Sequence, residues 1–165
     1  MNSPSLLTSI EFSSKLGVRP LPDIDGEHQS NVRGLYVVGD LADAPIIKVA
    51  LRQGHDVAEQ VVASLKGPAA EGVIDVLIIG AGPAGIGAAL ALQDTDCSFG
   101  IIERDRPFAT IANFPKGKLI FSEPRDMKSP GNFWFEDASK EDLVARWDAS
   151  LVSHGLPIQQ PEEVV

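Results

Sequence analysis

Residues 80–85 read Gly-Ala-Gly-Pro-Ala-Gly, and this G-x-G-x-x-G motif restricts the possible folds more than any other part of the sequence. It follows a continuous apolar run, Ile74 to Ile79, and precedes small and apolar residues that suit a helix. The order strand, glycine loop, helix predicts a parallel α/β sheet with a phosphate-binding loop. Because the strand is apolar throughout, we expect it to be central and buried on both faces.

Each glycine of the motif has a predicted task. Gly80 permits the tight turn after the strand, Gly82 leaves room for a pyrophosphate beside the backbone, and Gly85 lets the helix pack closely on the strand. Pro83 and Ala84 begin the helix, whose unpaired N–H groups and positive dipole end stabilise an anion. The loop therefore predicts a diphosphate site.

An acidic residue completes the pattern. Glu103 ends the next apolar strand, about 20 residues after the loop, where it is placed to accept hydrogen bonds from a ribose hydroxyl. A carboxylate at this position repels a 2'-phosphate. The sequence thus predicts an adenine dinucleotide such as FAD or NAD in preference to NADP.

The rest of the chain alternates short apolar runs with helical periodicity, which indicates one α/β domain over residues 1–165. Residues 1–33 suggest an arm or edge hairpin that leads into a strand, Leu35 to Val38. A helix is predicted from Ile46, with Pro45 in its first turn, and residues 66–72 form a short linker. The order strand, helix, strand over residues 35–79 predicts two parallel strands of one sheet with a helix facing it.

Composition excludes several classes of partner. The formal net charge of -9 has the wrong sign for nucleic acid, and no apolar run is long enough to cross a membrane. Cys97 is the only cysteine, and the first 20 residues lack a secretory signal pattern, so we expect a cytoplasmic protein without disulfides. The histidines have no spacing that indicates a metal site.

The glycine loop and Glu103 resemble the amino-terminal FAD motif of the thioredoxin-reductase-like, FAD-dependent pyridine nucleotide-disulfide oxidoreductases. Residues 30–40 resemble the segment near the end of that family's FAD domain. The resemblance implies that Gly39 and Asp40 contact the ribityl chain of the flavin, and that the following helix, beginning near Ile47, points at the isoalloxazine. It selects FAD over NAD and implies a Rossmann-like fold.

The two family segments occur in reversed order. Residues 1–70 resemble the C-terminal part of the family's FAD domain, and residues 73–165 resemble its N-terminal part. Residues 113–127 and 140–147 resemble the branch of bacillithiol-disulfide-reductase-like enzymes. A circular permutation and a cut through a tandem parent both account for this order, and both stay open. In either case we expect a truncated or incomplete flavoprotein.

The sequence also departs from the family. It contains no second G-x-G-x-x-G and no Cys-x-x-Cys, and Ala84 stands where the bacillithiol-type branch has a cysteine. We expect the FAD-binding portion of an oxidoreductase that passes hydride from NAD or NADP to a disulfide or other acceptor. The nicotinamide-binding domain would lie elsewhere in the parent polypeptide or in a partner chain, and a homodimer is expected. The alternatives are a non-catalytic dinucleotide-binding or redox-sensing module and a structural remnant without ligand.

Overall fold

The computed structural model describes residues 10, 12–13, 21–67 and 69–164, which form a mixed α/β fold. The helices are α1 (Ile47–Ser64), α2 (Pro83–Gln93), α3 (Ala109–Ala112) and α4 (Lys140–His154), with 3-10 turns at Gly39–Ala42 and Pro130–Asn132. The strands are β1 (Phe12–Ser13), β2 (Leu21–Pro22), β3 (Val76–Ile79), β4 (Phe99–Ile102), β5 (Leu119–Ile120), β6 (Ala138–Ser139) and β7 (Ile158–Gln159).

A parallel sheet with the strand order β3-β4-β7 forms the centre of the fold. Ile78 lies opposite Ile101, and Ile101 lies opposite Ile158. Helix α2 connects β3 to β4 and packs on the sheet through Ile86, which is buried with Ile78 and Ile101 in the main hydrophobic core. A parallel sheet with flanking helices confirms the predicted α/β, Rossmann-like class.

The burial of β3 differs from the expectation. Only Ile78 is buried, whereas the side chains of Leu77 and Ile79 are 49% and 59% exposed. Strand β3 pairs with β4 and stands at the edge of the three-stranded sheet. The prediction of a central strand buried on both faces is therefore wrong for the described residues, because continuous apolarity does not reveal whether the chain covers both faces.

The predicted strand Leu35 to Val38 is also wrong. Its backbone groups are used locally: Leu35 accepts from the N–H of Ser30 at 2.8 Å, and Val37 donates to the carbonyl of His28 at 2.9 Å. Tyr36 forms only an isolated bridge with Gln29. Because these bonds fold the segment into a loop, it does not join β3 in a sheet, and the predicted parallel crossover over residues 35–79 is not formed.

Helix α1 begins at Ile47, one residue after the predicted start, so Pro45 lies just before the N-cap Ile46 and not in the first turn. The helix packs on α2 and not on a sheet. The two helices approach closely at two glycines. A Cβ on Gly54 would overlap the backbone carbonyl of Ala84, and a Cβ on Gly87 would overlap that of Leu51. Glycine at both positions therefore permits backbone-to-backbone contact between α1 and α2.

Helix α4 covers the core from another side. Ser139 is its N-cap and accepts a hydrogen bond from the N–H of Asp142 at 3.1 Å. Leu143, Trp147 and Leu151 are buried and recur at the spacing of one helix face. Trp147 is fully buried, packs on Phe108 with ring centroids 4.7 Å apart, and donates from Nε1 to a backbone carbonyl at 2.7 Å. Its polar group is thus satisfied inside the core.

The described part of the amino-terminal region contains an antiparallel pair of strands, but this pair is a separate sheet and does not lie at the edge of the central one. Strands β1 and β2 pair antiparallel, with Phe12 opposite Pro22. The remainder of the predicted arm, residues 1–9, 11 and 14–20, lies outside the described residues. Within the described parts of the chain, none of the helices combines the length and the apolarity that crossing a bilayer demands.

The side chain of Asp75 connects the linker residue Ala69 to Ser98, the residue before β4, through hydrogen bonds. The stability that these bonds contribute should depend on pH. The carboxylate of Asp75 accepts from the N–H of Ser98 at 2.8 Å and from the N–H of Ala69 at 2.6 Å. The side-chain hydrogen bond from Ser98, followed by these backbone bonds, lowers the pKa of Asp75. A carboxyl whose pKa is lower in the folded state contributes stability above the unfolded-state pKa and loses it as the pH falls.

We therefore expect wild-type stability to decrease more steeply than that of Asp75→Asn as the pH falls below about 4. Urea unfolding between neutral and acidic pH, together with an NMR titration of the Asp75 carboxyl, measures this difference. Asp96 lies in the turn before β4, is exposed, and its side chain makes none of the hydrogen bonds or ion pairs found among the described residues. Asp96→Asn is therefore the control substitution. Parallel pH profiles for wild type and Asp75→Asn would contradict the prediction.

Candidate functional site

The glycine loop lies at the carboxyl end of β3. Gly80 has a φ of +98°, a conformation that side chains other than glycine rarely adopt, and its N–H donates to the carbonyl of Ile102 at 2.8 Å. A Cβ on Gly85 would overlap the carbonyl of Gly80. The turn and the close helix–strand packing predicted for Gly80 and Gly85 are thus both observed.

Gly82 differs from Gly85 because there is room beside it for more than a hydrogen atom. It is the N-cap of α2, with an extended backbone (φ -77°, ψ -178°), and no atom lies within 4 Å of the position of an added Cβ. Pro83 occupies the first turn of the helix, and no side chain caps the helix start. The first-turn N–H groups consequently have no intrahelical partner. The space beside Gly82 is therefore available to an anionic group.

Glu103 is tied to the glycine loop by its own side chain. One carboxylate oxygen accepts from the N–H of Ala81 at 2.8 Å, and the other accepts from the N–H of Asp105 at 2.8 Å. These bonds hold the end of β4 beside the loop. Each oxygen keeps a further lone pair. The half-buried carboxylate can therefore hold the loop in place and still accept from a ligand hydroxyl.

Gly39 lies next to the glycine loop, although the strand predicted before it is missing. It is buried, has a φ of +79°, and an added Cβ would lie 3.1 Å from the Cβ of Ala84. Its N–H donates to Oε1 of Gln53 at 2.6 Å, which links it to α1. The structure thus brings Gly39 and Ala84, from the two sequence pieces, into contact.

The other predicted residues of the first piece flank this contact. Asp40 is exposed in the 3-10 turn that begins at Gly39, and Ile47 is half-buried at the first residue of α1. Ala44 and Ala50 form a small buried cluster with Ala84. Small side chains at these positions allow the turn and the start of α1 to approach the start of α2.

Sequence reasoning did not identify one residue of α1, Lys48, as buried. Its side chain is buried, and Nζ donates to the backbone carbonyls of Ser122 at 2.9 Å, Pro124 at 2.9 Å and Met127 at 3.0 Å. A signal was available, because Lys48 is three residues before the buried Leu51 and so lies on the inward side of α1. Lys48 thus joins the first piece to a loop of the second.

The outer side of α1 carries a separate cavity. It encloses about 330 Å³ and is lined in part by His28, Arg52, Asp56 and Met127, with no residue of the glycine loop. On the same helix, His55, Asp56 and Glu59 place potential metal ligands within 4.8 Å of one another. Arg52 already pairs with Asp56 at 2.8 Å and would compete with a cation. The expectation of no metal site stays a prediction.

The single cysteine is half-buried on the way into β4. Burial raises the pKa of the Cys97 thiol, and the negative charge of Asp75 raises it further. Because the thiolate is the reactive form, Cys97 is a poor nucleophile at neutral pH.

A parallel sheet, a glycine loop at the carboxyl end of β3 and a helix that starts at this loop define a Rossmann-like fold. The sequence profile of the pyridine nucleotide-disulphide oxidoreductases matches residues 77–164, which is more than half of the chain. The chain belongs to the pyridine nucleotide-disulphide oxidoreductase family, as the glycine loop and Glu103 predicted.

Among solved structures, the chain is similar to the bacillithiol disulfide reductase Bdr of Staphylococcus aureus, with 25% sequence identity and a TM-score of 0.47 over 54% of this chain. The similar region spans 28% of that reductase. No curated protein sequence matches the chain.

Proposed function

We propose that this chain binds FAD and is the FAD-binding portion of an oxidoreductase. The observation that carries the proposal is the open space at Gly82 above the start of α2, with Glu103 bound to the same loop. In this proposal, Gly80, Gly82, Pro83, Ala84 and Gly85 surround the diphosphate, where the helix N–H groups stabilise its charge. Glu103 accepts from the adenosine ribose.

The first piece would complete the flavin side of the site. Gly39 lies against Ala84, and Asp40 is the next residue. Ala50, in the same first helical turn as Ile47, also packs against Ala84. We assign Asp40 to the ribityl hydroxyls, because an exposed carboxylate can accept hydrogen bonds from them, and Ile47 to the isoalloxazine, because its side chain is apolar and half-exposed. Both pieces would then form one FAD site within a single chain.

When bound, FAD supplies the capacity to accept and to donate hydride. We propose that the whole protein takes hydride from NAD(P)H and passes it to a disulfide or other acceptor, with the nicotinamide-binding domain in the parent polypeptide or in a partner chain. The residues of this chain would hold the cofactor and exclude NADP from its site through the charge of Glu103. None of the residues assigned here is proposed to bind the acceptor.

A second candidate function is a non-catalytic dinucleotide-binding or redox-sensing module. It is favoured by Cys97, the only cysteine of the chain, because its raised pKa disfavours thiol chemistry. In this case the chain would bind the dinucleotide and report its redox state without transferring hydride to a disulfide.

The first test is the visible absorption spectrum of the purified chain after FAD is added and the excess is removed. We expect a retained flavin spectrum and a rise in Tm with FAD, because a ligand bound only by the folded state stabilises it by about 2.7 kcal/mol at 100 times its Kd. A colourless protein whose Tm ignores both FAD and NAD would refute the proposal.

Two further measurements separate the candidate functions. Oxidation of NADH or NADPH by the whole protein, with a disulfide acceptor, would support the oxidoreductase and exclude the non-catalytic module. Flavin binding without turnover would support the module. Light scattering tests the homodimer, which stays a prediction.

A further inference from the structure

Lys48 forms a complete set of hydrogen bonds with three carbonyl oxygens of one loop. An ammonium group has three N–H donors and no acceptor, and the carbonyls of Ser122, Pro124 and Met127 accept all three. We call these three oxygens the carbonyl cradle and residues 122–127 the cradle loop. The side chain of Lys48 is 4% exposed, so water contributes little to its solvation.

The hydrogen-bond partners of Lys48 are dipoles and not carboxylates. A buried cation without a directly bound anion is expensive unless its hydrogen bonds are all made, as they are here. The ring of Phe135 adds a contact at 5.8 Å between Nζ and the ring centroid. Removing the ammonium group would leave the carbonyls of Ser122 and Met127 without a described donor, and the carbonyl of Pro124 with only the N–H of Met127 at 3.3 Å. Losing these bonds to a charged group would destabilise the loop.

The cradle loop is also fixed on its outer side. Asp137 accepts from the N–H of Ser122 at 2.8 Å and from Arg125 at 2.7 Å, and Arg125 also donates to Glu123 at 2.9 Å. The hydrogen bond from Arg125, followed by the bond from Ser122, lowers the pKa of Asp137. These contacts stay within the second sequence piece. Lys48 is the residue that connects the cradle loop to α1 through its ammonium group.

The hydrogen bonds of Lys48 to the cradle loop also affect the candidate site, because Lys48 lies in the first turn of α1. Lys48 is the second residue of the helix, directly after Ile47, so a restraint on its Nζ acts on the first helical turn. The first turn also contacts the start of α2 through Ala50 and Ala84. The cradle loop and the glycine loop therefore hold the start of α1 from two sides.

We propose that Lys48 is a positioning residue that uses its positive charge to fasten the cradle loop to the first turn of α1, and so sets where Ile47 meets the flavin. The second half of this statement rests on the proposed FAD site. The first half concerns the two pieces of the chain alone and has a separate measurement.

The test compares Lys48→Met, which keeps most of the side-chain length without the charge, with the control Arg52→Met one helical turn later. Arg52 is half-exposed and pairs with Asp56; it lines a cavity beside Met127 but donates to none of the three cradle carbonyls. Amide hydrogen exchange of residues 122–128 reports the fastening, and the dissociation constant of FAD with the visible flavin spectrum reports the positioning. A core variant, Leu143→Ala, shows what general destabilisation does to both.

In Lys48→Met we expect exchange in the cradle loop to accelerate by about tenfold or more, since a hydrogen bond to a charged group is lost. We also expect FAD to bind about tenfold more weakly and the flavin absorption bands to shift, with neither change in Arg52→Met. In Lys48→Ala, added propylammonium should slow loop exchange towards the wild-type rate, because it supplies the missing cation. Acetamide, which has no positive charge, should not.

Wild-type exchange rates in Lys48→Met would overturn the proposal, because the charge would then be unnecessary. The same loop acceleration in Leu143→Ala at equal loss of stability would also overturn it, since the effect would be general. If Lys48→Met does not fold, the propylammonium response of Lys48→Ala decides. If the wild type binds no FAD, the proposed function fails, while loop exchange still tests the fastening by Lys48.

Discussion

A methyl group added at Gly54 is expected to destabilise the chain, although alanine is the better helix former. At this position the new Cβ would overlap the backbone carbonyl of Ala84, so α1 and α2 would have to separate. Overpacking of this kind costs about 1–3 kcal/mol, and more where only backbone can move. The gain in helix propensity offsets about 1 kcal/mol of that cost. We expect a net decrease in the free energy of unfolding, measured by urea denaturation of Gly54→Ala.

Gly87→Ala tests the same contact from the other helix, because its Cβ would overlap the carbonyl of Leu51. Gly26→Ala is the control: no atom lies within 4 Å of its added Cβ, and its φ is not in the left-handed region. Unchanged or increased stability of both Gly54→Ala and Gly87→Ala would show that the helices are not in backbone contact. The two sequence pieces would then be packed differently from the structure described here.

The motif-bearing half of the fold could be predicted from the sequence because its determinants are local. A glycine needed for a positive φ, a proline in the first turn of a helix and an acid after the next strand occur within a few residues of the elements they define. Gly80, Pro83 and Glu103 accordingly lie where the motif places them. The apolar periodicity after Pro45 likewise predicted a helix where α1 is found.

The errors concern long-range contacts. The segment Leu35 to Val38 has the composition of a strand, but a strand also needs a partner edge, and its backbone bonds go to Ser30 and His28. The apolar face of α1 was expected on a sheet, yet it covers α2, because apolar periodicity identifies a buried face without identifying what buries it. Leu77 and Ile79 of β3 are exposed for a similar reason: an apolar sequence does not reveal whether another element covers that face of the strand.

Lys48 shows why part of the candidate site was missed. Lysine is rarely buried. Its residue type therefore favoured exposure, although its position near the inward side of α1 favoured burial. Its partners are three backbone carbonyls more than 70 residues away in the chain. Backbone carbonyls have no sequence signature, and only the folded arrangement reveals that they converge. The contact between α1 and α2 and the hydrogen bonds of Lys48 together show that α1 packs on the part of the chain that carries the glycine loop.

A methyl group added at Gly82 should mainly weaken FAD binding, whereas one added at Gly54 should mainly lower stability. No atom lies within 4 Å of the added Cβ, and the backbone at φ -77° and ψ -178° suits any L-residue. The added methyl group should therefore cause neither a steric clash nor backbone strain in the folded chain. Alanine is a poorer N-cap than glycine, which limits the expected loss of stability to about 1 kcal/mol. The methyl would instead occupy the space in which we propose that the FAD diphosphate meets the start of α2. We expect Gly82→Ala to bind FAD at least about tenfold more weakly, a loss of about 1.4 kcal/mol.

Equilibrium binding of FAD, followed by flavin fluorescence, and urea unfolding of the same samples measure both quantities. Gly26→Ala again serves as the control, with wild-type affinity and stability expected. The comparison is informative because Gly54→Ala and Gly82→Ala differ only in where one methyl group is placed. If Gly82→Ala keeps the wild-type affinity while the wild type binds FAD, the diphosphate does not lie against Gly82. The cofactor would then have to contact the chain elsewhere, and the roles proposed for Pro83, Ala84 and Glu103 would fall with that of Gly82.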